Sequence, residues 1–165
     1  MKKIIVMFGL LVVTSVMAYA AESVTDDGTA KAKIIQAATL THQTGALDFG
    51  VLIADADGGS STLEAVATPT ADDSGIERAN GAVSSDHFVL SNLDTATTYA
   101  VSIPTSVTIT NASDASKTMS VALTKSDATV HGVATKDLYV GGTLTVGNNQ
   151  AAGDYTGSYT MSVTY

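Results

Sequence analysis

The feature that most constrains this chain is the stretch "DYTGSYTMSVTY", residues 154–165. Tyr155, Gly157, Tyr159, Met161, Val163 and Tyr165 fall on one side of an extended backbone. Asp154, Thr156, Ser158, Thr160, Ser162 and Thr164 fall on the other. Alternation sustained over a dozen residues has the period of a β-strand, with one face buried and one in water. At ~3.3 Å per residue such a strand would run about 40 Å, which is long. A strand of that length at a sheet edge needs cover from another β-segment, because an open edge templates further pairing.

The rest of the chain repeats the theme in shorter runs. "LDFGVLIA" places Leu47, Phe49, Val51 and Ile53 on one face. "STLEAVAT" is a weaker strand before Pro69, and "HFVLSNL" and "TTYAVSI" follow, the second ending at Pro104. Ser106–Thr110 and Lys117–Lys125 bracket the turn-rich "NASDAS". "DLYV" and "TLTV" are separated by Gly141 and Gly142 alone, which predicts a tight hairpin. The polar "TPTADDSGIERANGAVSSD" predicts a surface loop with a ragged hairpin, and its Asp72 and Asp73 a solvated pair. Threonine, valine, serine, alanine and glycine dominate, a composition of short strands and tight turns. About nine or ten strands at this spacing predict an all-β, antiparallel β-sandwich.

Residues 1–20 read differently. Lys2 and Lys3 precede the apolar "IIVMFGLLVV", and "AYA" places small residues at Ala18 and Ala20. This pattern predicts a secretory signal peptide, and with it export across the inner membrane to the periplasm or cell surface, with no stable membrane insertion after cleavage. Residues 21–29 predict a flexible segment, and residues 30–165 a single domain. Without residues 1–20, six basic residues face 16 acidic ones, a net charge of −10. Such a surface repels phosphate backbones, which argues against a nucleic-acid partner.

Chemistry is sparse. The chain has no cysteine, which removes thiolate catalysis and Cys-based metal sites. His42, His87 and His131 lie far apart with no second ligand at metal spacing, so they predict surface or strand-end positions. "DADGG", Asp55–Gly59, begins like a calcium loop but lacks the later ligands and predicts a turn. "NAS", Asn111–Ser113, has the form of a glycosylation sequon. No serine sits in a nucleophile elbow, so no enzyme activity, metal or cofactor is expected.

Behind the polar "AESVTDDGT" comes "AKAKIIQAATLT", which alternates imperfectly. Ala30, Ala32, Ile34, Ala38 and Leu40 share one side, and Lys31 and Lys33 lie opposite. This segment reads either as the domain's own first strand or as a strand offered to a neighbour.

Three stretches together, "ALDFGVL", "LYVGGTLTV" and "AAGDYTGSYTMSVTY", resemble a family of secreted bacterial domains similar to spore coat protein U and the archaic chaperone–usher pilins. Leu47, Phe49 and Gly50 match the family's Leu-x-Phe-Gly. Gly153, Tyr155, Tyr159, Met161, Val163 and Tyr165 match its closing motif. The absence of the N-terminal cysteines common in archaic pilins is a departure. The resemblance implies an immunoglobulin-like, pilin-like sandwich lacking one strand. It implies a subunit of a surface fibre or coat, completed by a donor strand from the next subunit. A periplasmic chaperone and an outer-membrane usher are the implied assembly partners. On that reading Ala30, Ala32, Ile34, Ala38 and Leu40 are the donor face. Tyr155, Tyr159, Met161, Val163 and Tyr165 are the acceptor edge. The alternative is a self-complete secreted binding or adhesion module.

Overall fold

The computed structural model describes residues 23–165, so the expected signal peptide lies outside the described residues. The chain divides into two units, one up to Lys33 and one from Ile34 to Tyr165. In the first, residues 23–33 carry no regular secondary structure and are exposed. The second is all-β, with no helix among the described residues. It holds thirteen strands rather than nine or ten.

The largest sheet is antiparallel and follows the order β1 (Thr39–His42), β6 (Asp86–Ser91), β11 (Lys136–Val146), β9 (Thr118–Lys125), β8 (Ser106–Asn111) and β12 (Tyr155–Thr156). β3 (Gly59–Leu63) and β4 (Ala71–Ser74) extend it beside the second half of β11. A second sheet has β7 (Tyr99–Ser102) between β10 (Thr129–Val130) and β13 (Ser162–Thr164). Among the described residues β2 (Val51–Ile53) pairs only with β5 (Glu77–Asn80). One apolar core draws on both larger sheets. Leu63, Leu90, Val121, Leu138 and Val140 come from the first, Tyr99 and Val101 from the second. Each such side chain contributes about 1.5–3 kcal/mol through burial.

The hairpin expected at Gly141-Gly142 is absent, and β11 runs through both glycines as one eleven-residue strand. Neither glycine has positive φ, which a tight hairpin turn would require. Their role is close approach. A Cβ on Gly141 would lie 2.3 Å from the Leu63 carbonyl oxygen, and one on Gly142 2.5 Å from that of Ala122. On one edge β11 pairs first with β6, through Lys136–Val140, and then with β3, through Gly142–Val146. Gly141 sits where one neighbour gives way to the other, and a side chain there would wedge them apart.

Two other expectations are corrected. The face shared by Leu47, Phe49, Val51 and Ile53 breaks at Gly50, whose φ of 68° resets the alternation. Phe49 is buried, while Val51 and Ile53 are 55% and 47% exposed. β4 and β5 do not form a hairpin together, since β4 pairs with β3 and β5 with β2. Their acids are not both free in water either. Asp73 accepts two hydrogen bonds from Arg78, at 2.9 and 2.8 Å. These bonds hold its carboxyl below the ordinary aspartate range.

Candidate functional site

The terminal stretch keeps its alternation but not a single ladder. β12 pairs with β8 at Tyr155↔Asn111 and Thr156↔Thr110. β13 pairs with β7 at Ser162↔Ser102, Val163↔Val101 and Thr164↔Ala100. Between them the chain passes from one sheet to the other. The backbone of Gly157–Met161 finds no backbone hydrogen-bond partner among the described residues. Its inward side chains are nonetheless held, with Met161 7% exposed and Tyr159 packed against the core. Gly157 lets the tail lie tight on β8, since a Cβ there would sit 2.5 Å from the Thr108 carbonyl oxygen.

Beside this tail lies a groove of about 1110 Å³. Residues 150–161 form one wall and residues 45–52 the other. Its floor is apolar, made by Val107 and Ile109 of β8, Met119 and Val121 of β9, and Leu144 and Val146 of β11. The second wall is built around the Leu-x-Phe-Gly motif. Phe49 enters the core, and Gly50 turns the chain at positive φ. Arg78 fixes this turn. Its guanidinium donates to the Phe49 carbonyl, to Ser61 Oγ at 2.9 Å and to Asp73. A Cβ on Gly50 would lie 2.9 Å from Arg78 Nη1. β2 uses one edge for β5, and the described residues place no strand on its other edge. Next in sequence to the lining residues Gln150 and Ala54, the Asn149 N–H donates to the Asp55 carbonyl at 3.0 Å.

At another point of the lining sits a polar cluster. Asp86 is buried, and its Oδ1 accepts from His42 Nε2 at 2.6 Å. Its Oδ2 accepts from the Tyr159 hydroxyl at 2.6 Å. Burial, reinforced by the Asp86 carboxylate, raises the Tyr159 phenol far above the ordinary tyrosine range. The phenol therefore stays protonated and donates. His42 also packs on Phe88, with ring centroids 4.7 Å apart. The cluster ties β1, β6 and the tail together along the groove. Among the described residues no group of three or more His, Cys, Asp or Glu could hold a metal ion.

The expected acceptor residues separate. Tyr155, Tyr159 and Met161 line the groove. Val163 belongs to β13, and Tyr165 is 61% exposed with its ring 5.1 Å from Tyr99. The expected donor residues separate as well. Ala38 and Leu40 pack against the core, and Leu40 lies in β1, paired with Leu90 of β6. Ala30, Ala32 and Ile34 carry no strand and are exposed, Ile34 to 95%. His87 stacks on Tyr139 and bonds to Asp137, and His131 sits near Thr97 and Thr98, away from the groove lining. Asn111 of the sequon is 4% exposed, and its side chain caps the "NASDAS" turn through Ser113 N–H and Asp114 N–H.

The class defined here is an all-β antiparallel domain with an open apolar groove beside its C-terminal strands. The chain belongs to the DUF4402 family, a domain of unknown function, whose profile matches residues 38–165. No curated protein matches the chain. The matched span opens at Ala38, one residue before β1.

Proposed function

We propose that this protein is a structural subunit of a bacterial surface fibre or coat, assembled by donor-strand complementation. In this reading the two larger sheets are the layers of an immunoglobulin-like, pilin-like sandwich, related to spore coat protein U and the archaic pilins. The observation that carries it is the groove, whose floor is apolar, whose tail wall leaves the backbone of Gly157–Met161 without backbone partners, and beside which β2 has one unpaired edge among the described residues. A strand added there would gain main-chain hydrogen bonds on its edges and pockets for alternate side chains. The same chain has an alternating segment, residues 30–38, that joins no strand of its own. Like subunits are the main partners, and export would bring in a periplasmic chaperone and an outer-membrane usher. The reading assigns the groove to binding rather than catalysis.

The pairing of Thr39–His42 with β6 favours a second reading, a self-complete secreted binding or adhesion module. The two differ in assembly. Unheated SDS gels of native protein are expected to show a ladder that boiling collapses to monomer. Monomer alone before boiling would overturn the fibre reading and favour the module.

A further inference from the structure

Resting on the subunit reading above, we propose that residues 30–36 of a second copy are drawn into the groove by charge, with Lys31 and Lys33 set against Asp48 and Asp154. Among the described residues no lysine or arginine lines the groove, whereas three acids do: Asp48, Asp86 and Asp154. Asp86 is buried and engaged by His42 and Tyr159. Asp48 and Asp154 are exposed, and they lie on opposite walls. In the incoming segment, Lys31 and Lys33 are the sole charged residues between Gly28 and Thr41. They alternate with Ala30, Ala32 and Ile34, so an apolar face turned to the floor leaves both ammonium groups at the rim.

Length agrees with this placement. The tail wall from Tyr155 to Met161 spans about 23 Å at ~3.3 Å per residue, enough to seat roughly seven donor residues. Residues 30–36 supply that length, and Ala38 can stay on its own core with Thr39–His42 paired to β6 of the same domain.

The rest of the molecule makes the charge necessary. Residues 42–165 hold four Lys/Arg against 13 Asp/Glu, a net charge of −9. Two such bodies repel at low ionic strength, and a segment bearing two positive charges gives their encounter both an attraction and an orientation.

The test follows assembly of the full chain by light scattering, with unheated gels as the second readout. Lys31→Glu with Lys33→Glu is expected to slow assembly at least ten-fold at low salt. Asp154→Lys with Asp48→Asn is expected to do the same. Asn at 48 keeps the oxygen that accepts from the Gly50 N–H, so the turn survives. Mixed together, the two variants should assemble faster than either alone, and 0.5 M salt should shrink all these differences. Ladders that form at the wild-type rate in both variants would overturn the charge proposal and leave strand exchange standing. Wild-type protein that stays monomeric at every concentration, with residues 30–36 protected from protease, would overturn the second copy as occupant. Circular dichroism of each variant separates misfolding from loss of docking. If Asp154→Lys misfolds, Asp154→Asn carries the acceptor arm, with a smaller expected slowing and no rescue.

Discussion

Residues 155–165 and residues 30–40 carry the same kind of alternation, yet only the first is held by the domain along most of its length. The difference lies in what alternates. The tail turns Tyr155, Tyr159, Met161 and Val163 inward, and all four are at least partly buried. The earlier segment offers Ala30, Ala32 and Ile34 before it reaches Leu40. Burial stabilises by about 25 cal/mol per Å² of apolar surface, so alanines contribute little against the entropy of ordering a strand. Period tells that a segment is extended, and side-chain volume tells whether its own domain can hold it. The division falls inside "AKAKIIQAATLT": β1 begins at Thr39, where Leu40 and the β6 ladder become available.

The hardest blow to this contrast should come from Met161→Asp. Met161 is 7% exposed at the point where the tail crosses between sheets. A carboxylate there has no partner, and the expected loss is on the order of 3–5 kcal/mol, read from chemical denaturation. An unchanged midpoint would mean that the tail is no part of the core, and the two segments would then differ in nothing but composition.

A smaller effect separates the tail's packing from its polar anchor. Tyr159→Phe keeps the ring and removes the hydroxyl that donates to Asp86 Oδ2. Asp86 retains His42 and the His87 N–H, so the expected cost is about 1–3 kcal/mol. A variant as stable as the parent would show that apolar packing alone holds the tail.

Much of the strand content was legible because period two is written plainly in "HFVLSNL", "TTYAVSI" and "KTMSVALTK". Alternation fixes facing and leaves pairing open, and at Gly141-Gly142 the local turn signal outweighed the facing of its neighbours. A two-residue turn at Gly141-Gly142 would pair Val140 with Thr143 and put Leu144 and Val146 on the opposite face, whereas the straight strand keeps Leu138, Val140, Leu144 and Val146 in one phase, all four buried. The tail likewise keeps its facing through a change of sheet. At the groove, the tail wall and the Leu-x-Phe-Gly wall each carried a local motif. The Asp86 cluster carried none. His42 and Tyr159 lie 44 and 73 residues from Asp86, and only the fold brings them together.

The sharpest test of the contrast has the smallest effect on folding. Ile34→Asp changes a side chain that is 95% exposed and outside every strand. Surface changes of this kind move stability by no more than about 0.5 kcal/mol, so the denaturation midpoint should be unaltered. Assembly should respond very differently. In the proposed docked state Ile34 is the largest residue of the Ala30–Ile34 face, and an aspartate there would bury a charge against Val107, Ile109 and Met119. It would also cancel half of the positive charge on the segment. The ladder on unheated gels should disappear while the melting curve stays in place. A drop in melting temperature would instead tie residue 34 to the stability of its own domain, and the two alternating segments would then be doing the same job.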